Sequence, residues 1–330
     1  MMFAACGGTA PKAPPPEPSL AIAPLTSIVP AAGLETLVVV EPKSLWSKTE
    51  LRQALDALVP EDQVLAFATR HGSVDPRQLD EIAVATYARA TLVLGRGVFE
   101  PARLEQAFTR LMLGIDGRQI DHAGDALTNI TRTWGEVAGI GEPNRHEELA
   151  TFGRTVVGWE LDEPSTTPQL GPLRASELFA RHKLAKARPA LDAPPLDVVS
   201  ATLGAAPIRV FFAGPFAGEW STAMSGLLRA ATAVGGSASS DGQGNLEITV
   251  AVFGAFGEKS PQAADRLAAF VEVIGESALG KLAGLDHPTA SFQAKSTPDS
   301  ASVHGRVNAV RLVQGLRAAT GAQITEIMQQ

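Results

Sequence analysis

Residues 36–42 read TLVVVEP and residues 208–215 read IRVFFAGP, and this pair decides how the rest of the chain is read. Each is a short apolar run, rich in β-branched residues in the first case and carrying two phenylalanines in the second. Each ends at a proline, Pro42 or Pro215. Such side chains suit a pleated, buried surface, and a proline has no N–H to carry a ladder further. Both runs are expected to be buried strands. A tryptophan follows each within a few residues, Trp46 or Trp220, at the head of a helical pattern. The second half of the chain therefore reads as a replay of the first.

The elements around the two strands follow from periodicity and punctuation. After the first, Leu51, Ala54, Leu55 and Leu58 form one helical stripe, with Ser47 and Glu50 spaced as a capping box and Pro60 as a stop. EDQVLAFATRHG (61–72) predicts a short helix closed by Gly72, and Asp75–Pro76 a further helix start. Residues 80–98 predict two strands turning near Ala88–Arg89. Leu104, Ala107, Phe108, Leu111 and Met112 predict an amphipathic helix. Short extended pieces with glycine breaks span 117–160, and RASELFARHKL (174–184) closes the half as a helix. After the second strand, a helix carrying Met224, Leu227, Leu228 and Ala231 is expected to end at Gly235–Gly236. NLEITVAVFGAF (245–256) predicts a strand. Ser260 and Pro261 open a helix with Leu267, Phe270, Val271 and Ile274 on one side. SFQAKSTPDSASVHGRV (291–307) predicts a hairpin about Pro298–Asp299, and Asn308 caps a last helix.

Each half thus reads β-α-ββ-α-ββ-α. The expected class is α+β: two similar halves of antiparallel or mixed sheet, helices packed on one face, compatible with ferredoxin-like units. No regular β-α-β alternation with a phosphate loop supports a doubly wound fold. The expected boundaries are a tether over 1–33, a first half over 34–184, a linker over 185–206 and a second half over 207–330. A groove between the halves, lined near Gly95–Gly97 and Gly254–Gly257, is the expected ligand site.

Composition narrows the function classes. The 330 residues are 45% hydrophobic and 19% charged, which is globular. The net charge of -7 argues against a nucleic-acid partner, which needs clustered Lys and Arg. The single cysteine, Cys6, rules out an intramolecular disulfide and a Cys-based zinc site. Cys6 stands after Phe3, Ala4 and Ala5 and before Gly7, and a Pro-rich run follows in GGTAPKAPPPEPS (7–19). This stretch resembles the end of a bacterial lipoprotein signal peptide, where small residues flank the cut and the cysteine thiol accepts the lipid. The resemblance implies acylation at Cys6, a membrane partner through that anchor, and residence in the cell envelope. The implied setting is the outer membrane, with the body facing the periplasm or the surface. In general character the chain is similar to envelope lipoproteins of GC-rich Gram-negatives such as myxobacteria. Five residues precede Cys6, so the basic n-region and apolar core of a leader are expected upstream of Met1.

No stretch carries a catalytic, cofactor or metal pattern. His71, His122, His146, His182, His287 and His304 show no ligand spacing, and RHEELA (145–150) has alanine where a zincin needs its second histidine. Gly95 and Gly97 follow a strand and precede a helix, but the third glycine of a dinucleotide loop is missing. They read as a tight bend. VDPRQLDE (74–81) lacks the acidic spacing of a calcium loop. Arg181, His182, Lys183, Lys186 and Arg188 gather at a helix end, where the helix dipole favours cations. Trp46, Trp134, Trp159 and Trp220 are expected as core or half-buried anchors. The sequence therefore points to a non-enzymatic envelope lipoprotein with a binding or scaffolding role. A hydrolase assembled only in three dimensions and a cytosolic interaction domain are the rival readings.

Overall fold

The computed structural model describes residues 20, 22–113, 121–125, 129–137, 145–162, 171–182 and 187–318. Cys6 and the run that follows it, to residue 19, lie outside these. The described chain is built on one 12-stranded sheet, antiparallel at every pairing. The first half contributes β1 (Leu34–Val40), β2 (Glu81–Tyr87), β3 (Ala90–Arg96), β4 (Asp121–Asp125), β5 (Ile130–Val137), β6 (Arg145–Phe152) and β7 (Val156–Asp162). The second contributes β8 (Ile208–Ala213), β9 (Ala231–Ser240), β10 (Asn245–Gly254), β11 (Ala290–Thr297) and β12 (Ser300–Asn308). The spatial order is β11-β12-β10-β9-β8-β1-β2-β3-β7-β6-β5-β4.

The α+β class and the antiparallel sheet follow the sequence, and the order shows how the halves are related. In each, three strands run as a meander, a long helix follows, and a hairpin returns to pair its last strand with the third. These are β1-β2-β3, α4 (Pro101–Leu113), β6-β7, and β8-β9-β10, α8 (Ser260–Glu276), β11-β12. The first half adds β4 and β5 at the far edge. TLVVV and IRVFF not only occupy equivalent places; they pair with each other. Thr36 lies opposite Phe212, Val38 opposite Val210, and Val40 opposite Ile208. The halves thus share one sheet edge to edge, as two antiparallel copies of one unit would.

A strand alternates its side chains between faces, and the core clusters divide accordingly. Leu37, Val39, Phe211, Ala251 and Phe253 face one core, whereas Val252 and Val234 face another. The first face is covered by residues 22–33, α5 (Pro172–Ala180) and α6 (Leu196–Leu203), which add Leu25, Leu173 and Val199. The opposite face is covered by α1 (Pro42–Trp46), α2 (Arg52–Leu58), α3 (Glu61–Arg70), α4, α7 (Ala223–Gly226), α8 and the helix 309–318.

Several expectations are corrected here. Helices lie on both faces, because both faces of the central strands are apolar and each must be covered. The units are not ferredoxin-like: α1–α3 are an excursion between β1 and β2, which then pair directly and antiparallel. A ferredoxin-like split βαβ needs those strands parallel with one between. From Ile22 onward the segment expected as tether belongs to the body. Ile22, Leu25, Ile28 and Val29 are buried, the Leu25 N–H donates to the buried Glu81 carboxylate at 2.9 Å, and the Tyr87 hydroxyl donates to the Pro30 carbonyl at 2.9 Å. The expected linker carries α6, whose Leu196, Val199 and Leu203 are buried. Gly235–Gly236 stop no helix: β9 runs through them, and a Cβ at Gly235 would sit 2.3 Å from Val199 Cγ1. The missing side chain lets α6 lie on the strand. Ser47 forms no capping box; its hydroxyl donates to the Ser44 carbonyl, while Glu50 accepts from Ser240. Ser260 does not cap α8 either, because it is already helical and Lys259 precedes it. Asp75 and Asn308 do cap, accepting from the backbone N–H of Arg77 and of Arg311.

Candidate functional site

The cross-strand rows of β2, β3, β7 and β6 build an apolar floor on the face opposite α5. Ile82, Gly95 and Val157 form one row; Val93, Trp159 and Leu149 form the next. Two walls stand on it. α4 contributes Leu104 and Phe108, one turn apart, and the end of α3 contributes Phe67 and His71. Between them lies a cavity of about 130 Å³. Gly95 leaves room at the inner end, and Leu79 and Phe99 close over Gly95 and Gly97. The strand-end glycines thus serve packing rather than the tight bend expected of them.

The polar groups of this cavity are few. His71 stacks on Phe67, with ring centroids 4.1 Å apart, and its Nδ1 lies 2.9 Å from the Phe67 carbonyl. A carbonyl only accepts, so Nδ1 carries a proton in this contact. Trp159 lies 5.2 Å from His71 and meets Phe108 edge-on. Its indole N–H is buried and has no hydrogen-bond partner among the described residues. An unsatisfied buried donor costs about 1–3 kcal/mol and marks a place where an acceptor is welcome. Arg70 is the one charged residue of the lining. The α3 wall is lightly held: Val64 is its one buried residue, while Leu65 is 58% and Phe67 40% exposed. Arg77 fixes its start by bonding both Asp75 and Glu61.

A second polar assembly lies on the other face, under α5. Arg132 reaches Glu148 at 3.1 Å and Glu177 at 3.8 Å, and Glu177 also holds Arg181 at 2.5 Å and pairs with Arg174. The Glu160 carboxylate accepts from the Leu173 N–H at the start of α5. Burial pushes the Glu148 carboxyl above its ordinary range, against the opposing pull of Arg132. Burial also raises the Tyr87 phenol, with Glu160 adding to it. These ion pairs fasten α5 to the sheet.

The remaining sequence candidates are scattered. His304 meets Thr249 Oγ1 at 3.0 Å, His287 meets Asp286 at 2.8 Å, and His182 adopts a left-handed backbone. His146 lies on β6, and the side chains of His122 and Trp220 are outside the described residues, as are Lys183 and Lys186. Trp46, Trp134 and Trp159 are half-buried. Arg132 stands over the Trp134 ring at 5.0 Å. Among the described residues no group of three or more His, Cys, Asp and Glu is placed to hold a metal. No described helix is long and apolar enough to cross a membrane. The expected groove does not form: Gly95 lies near the end of β3 and Gly254 ends β10, five strands apart in different halves of the sheet. At about 4.8 Å per strand they are about 24 Å apart across the sheet alone. The pocket that does form joins His71 to Trp159. Periodicity shows neither, although the Phe67–His71 spacing of one helical turn was a visible signal.

No family model matches the chain, and no curated protein sequence matches it. A solved structure described as crystal form I of TP0453 aligns over 90% of this chain and 98% of that one, with 12% identity and a TM-score of 0.48.

Proposed function

We propose that the chain is a cell-envelope lipoprotein whose body binds a ligand and does not catalyse. Cys6 would carry the lipid, holding the body at the outer membrane, toward the periplasm or the surface. The N-terminal pattern supports the anchor, and the apolar cavity beneath α3 and α4 supports the binding role. That cavity is the single observation that carries the reading: a lined hollow with one orphan donor, beside a helix held by little more than Val64. Its 130 Å³ suits a ring or a short alkyl segment and is well below the ~300 Å³ of a drug-sized site. The ligand is therefore a small apolar group, or the apolar end of a larger molecule.

Titration with 1-hexanol tests this. A saturable change in tryptophan emission is expected, and Ala107→Phe, which fills the cavity from α4, is expected to abolish it. No change in the wild-type chain, or an equal change in the filled variant, refutes the reading.

A further inference from the structure

We propose a second, independent site: an anion-binding pocket between the start of α8 and the turn before β9, selective for phosphate groups. It occupies a cavity of about 410 Å³ far from the α3–α4 pocket in the sheet order. Three cations rim it, Arg229 from the turn and Lys259 and Arg266 from the start of α8. No carboxylate lines it; Glu258 and Asp265 adjoin these cations in sequence but lie outside the lining. Among the described residues Arg229, Lys259 and Arg266 have no ion pair, although the chain as a whole carries a net charge of -7. Three unneutralised cations around one hollow in an acidic protein are a local departure from its charge balance.

The chemistry of the wall agrees. Leu227, Phe256 and Ala263 are buried and give the hollow an apolar floor, and the three exposed cations stand at its rim, where a low-dielectric wall focuses their field. Lys259, just before α8, and Gln262 and Arg266 within it are spaced three and four residues apart, so two cations and an amide donor border the same space. α8 is 17 residues long, has no acidic residue in its first turn and no side-chain cap, so its dipole adds to the cations unopposed. Guanidinium groups match the oxygens of phosphate in pairs, which favours a phosphate over a halide. The phosphate can belong to a soluble monoester or to a phospholipid headgroup; the recognition chemistry is the same.

The test uses the full chain carrying Cys6→Ser, so that no lipid on Cys6 brings it to a membrane. Inorganic phosphate is titrated while the amide NMR signals of Gln262 and Ala263 are followed, and flotation is measured with phosphatidylglycerol and with phosphatidylcholine vesicles. Saturable amide shifts identify a site open to free phosphate. Flotation with the anionic vesicles alone identifies the headgroup as the source. Either outcome is expected to weaken about a hundredfold at low salt in R229Q/K259Q/R266Q, from the loss of three close charges. The control K48Q/R110Q/K295Q removes the same charge from exposed positions elsewhere and is expected to bind as the wild type does. Thermal melts verify that both triples are folded. The proposal is overturned if neither probe binds, if the first triple binds like the wild type, or if both triples lose binding equally.

Discussion

Gly235→Ala tests the contact on which the second half's core depends. Gly235 sits mid-strand in β9, paired with Phe211 on one side and Ala251 on the other. Its backbone is not left-handed, so alanine meets no conformational strain there. Replacing a strand glycine by alanine would by itself gain about 0.5–1 kcal/mol. The added Cβ, however, would lie 2.3 Å from Val199 Cγ1 and 2.8 Å from Leu203 Cδ1. Val199 is β-branched, fully buried and on a helix, so it has no free rotamer to escape into. Overpacking of this kind costs about 1–3 kcal/mol, which leaves a net loss of about 1 kcal/mol or more. Val199→Ala alone removes two methyl groups and costs about 1.6 kcal/mol in transfer terms before any cavity term. In the double variant the new methyl occupies space that Val199 vacated. Its stability is therefore expected to exceed the sum of the singles by about 1 kcal/mol or more. Guanidinium unfolding of the four proteins, followed by circular dichroism, measures this cycle. A neutral or stabilising Gly235→Ala, or strict additivity in the double variant, would refute the placement of α6 on β9.

Two further outcomes are expected. The wild-type chain, expressed behind a lipoprotein signal peptide, should partition into the detergent phase of a Triton X-114 separation and Cys6→Ser into the aqueous phase; equal partitioning of both would remove the anchor. Glu148 has a folded pKa raised above 4.5, so the native state holds its proton more tightly than the unfolded state does, and stability falls as pH rises through the interval between the two values. Unfolding free energies between pH 4 and 7 should show a steeper fall for the wild type than for Glu148→Gln, and parallel curves would contradict the buried placement of that carboxyl.

Local chemistry was legible in the sequence wherever the signal and its cause lie within a few residues. The turn between β2 and β3 falls at Ala88–Arg89, and that between β11 and β12 at Pro298–Asp299, as the alternation implied. The stripe of α4 faces the sheet, because a 3.6-residue period is a property of the helix alone, and in α8 Leu267 and Val271 do so while Ile274, expected beside them, is exposed. Glycine was the ambiguous letter. Gly72 does follow a helix, but Gly235 marks close approach by another element, and nothing beside it in the chain says so. Residues 22–33 and α6 read as tether and linker because prolines and alanines interrupt the one and flank the other. They are core because Ile22, Leu25, Leu196 and Val199 find an apolar sheet face that only the assembled strands create.

What the sequence by itself determined is the α+β class, most of the strands and the long helices, and the equivalence of TLVVV and IRVFF. Tertiary structure alone decided that these two strands pair with each other, that the halves share one sheet, and that both faces are covered. It also decided the site. His71 and Trp159 meet because β7 returns beside β3 while α3 folds over the same face. Pairing of that kind is set by the burial of whole faces, a quantity that no stretch of sequence carries on its own.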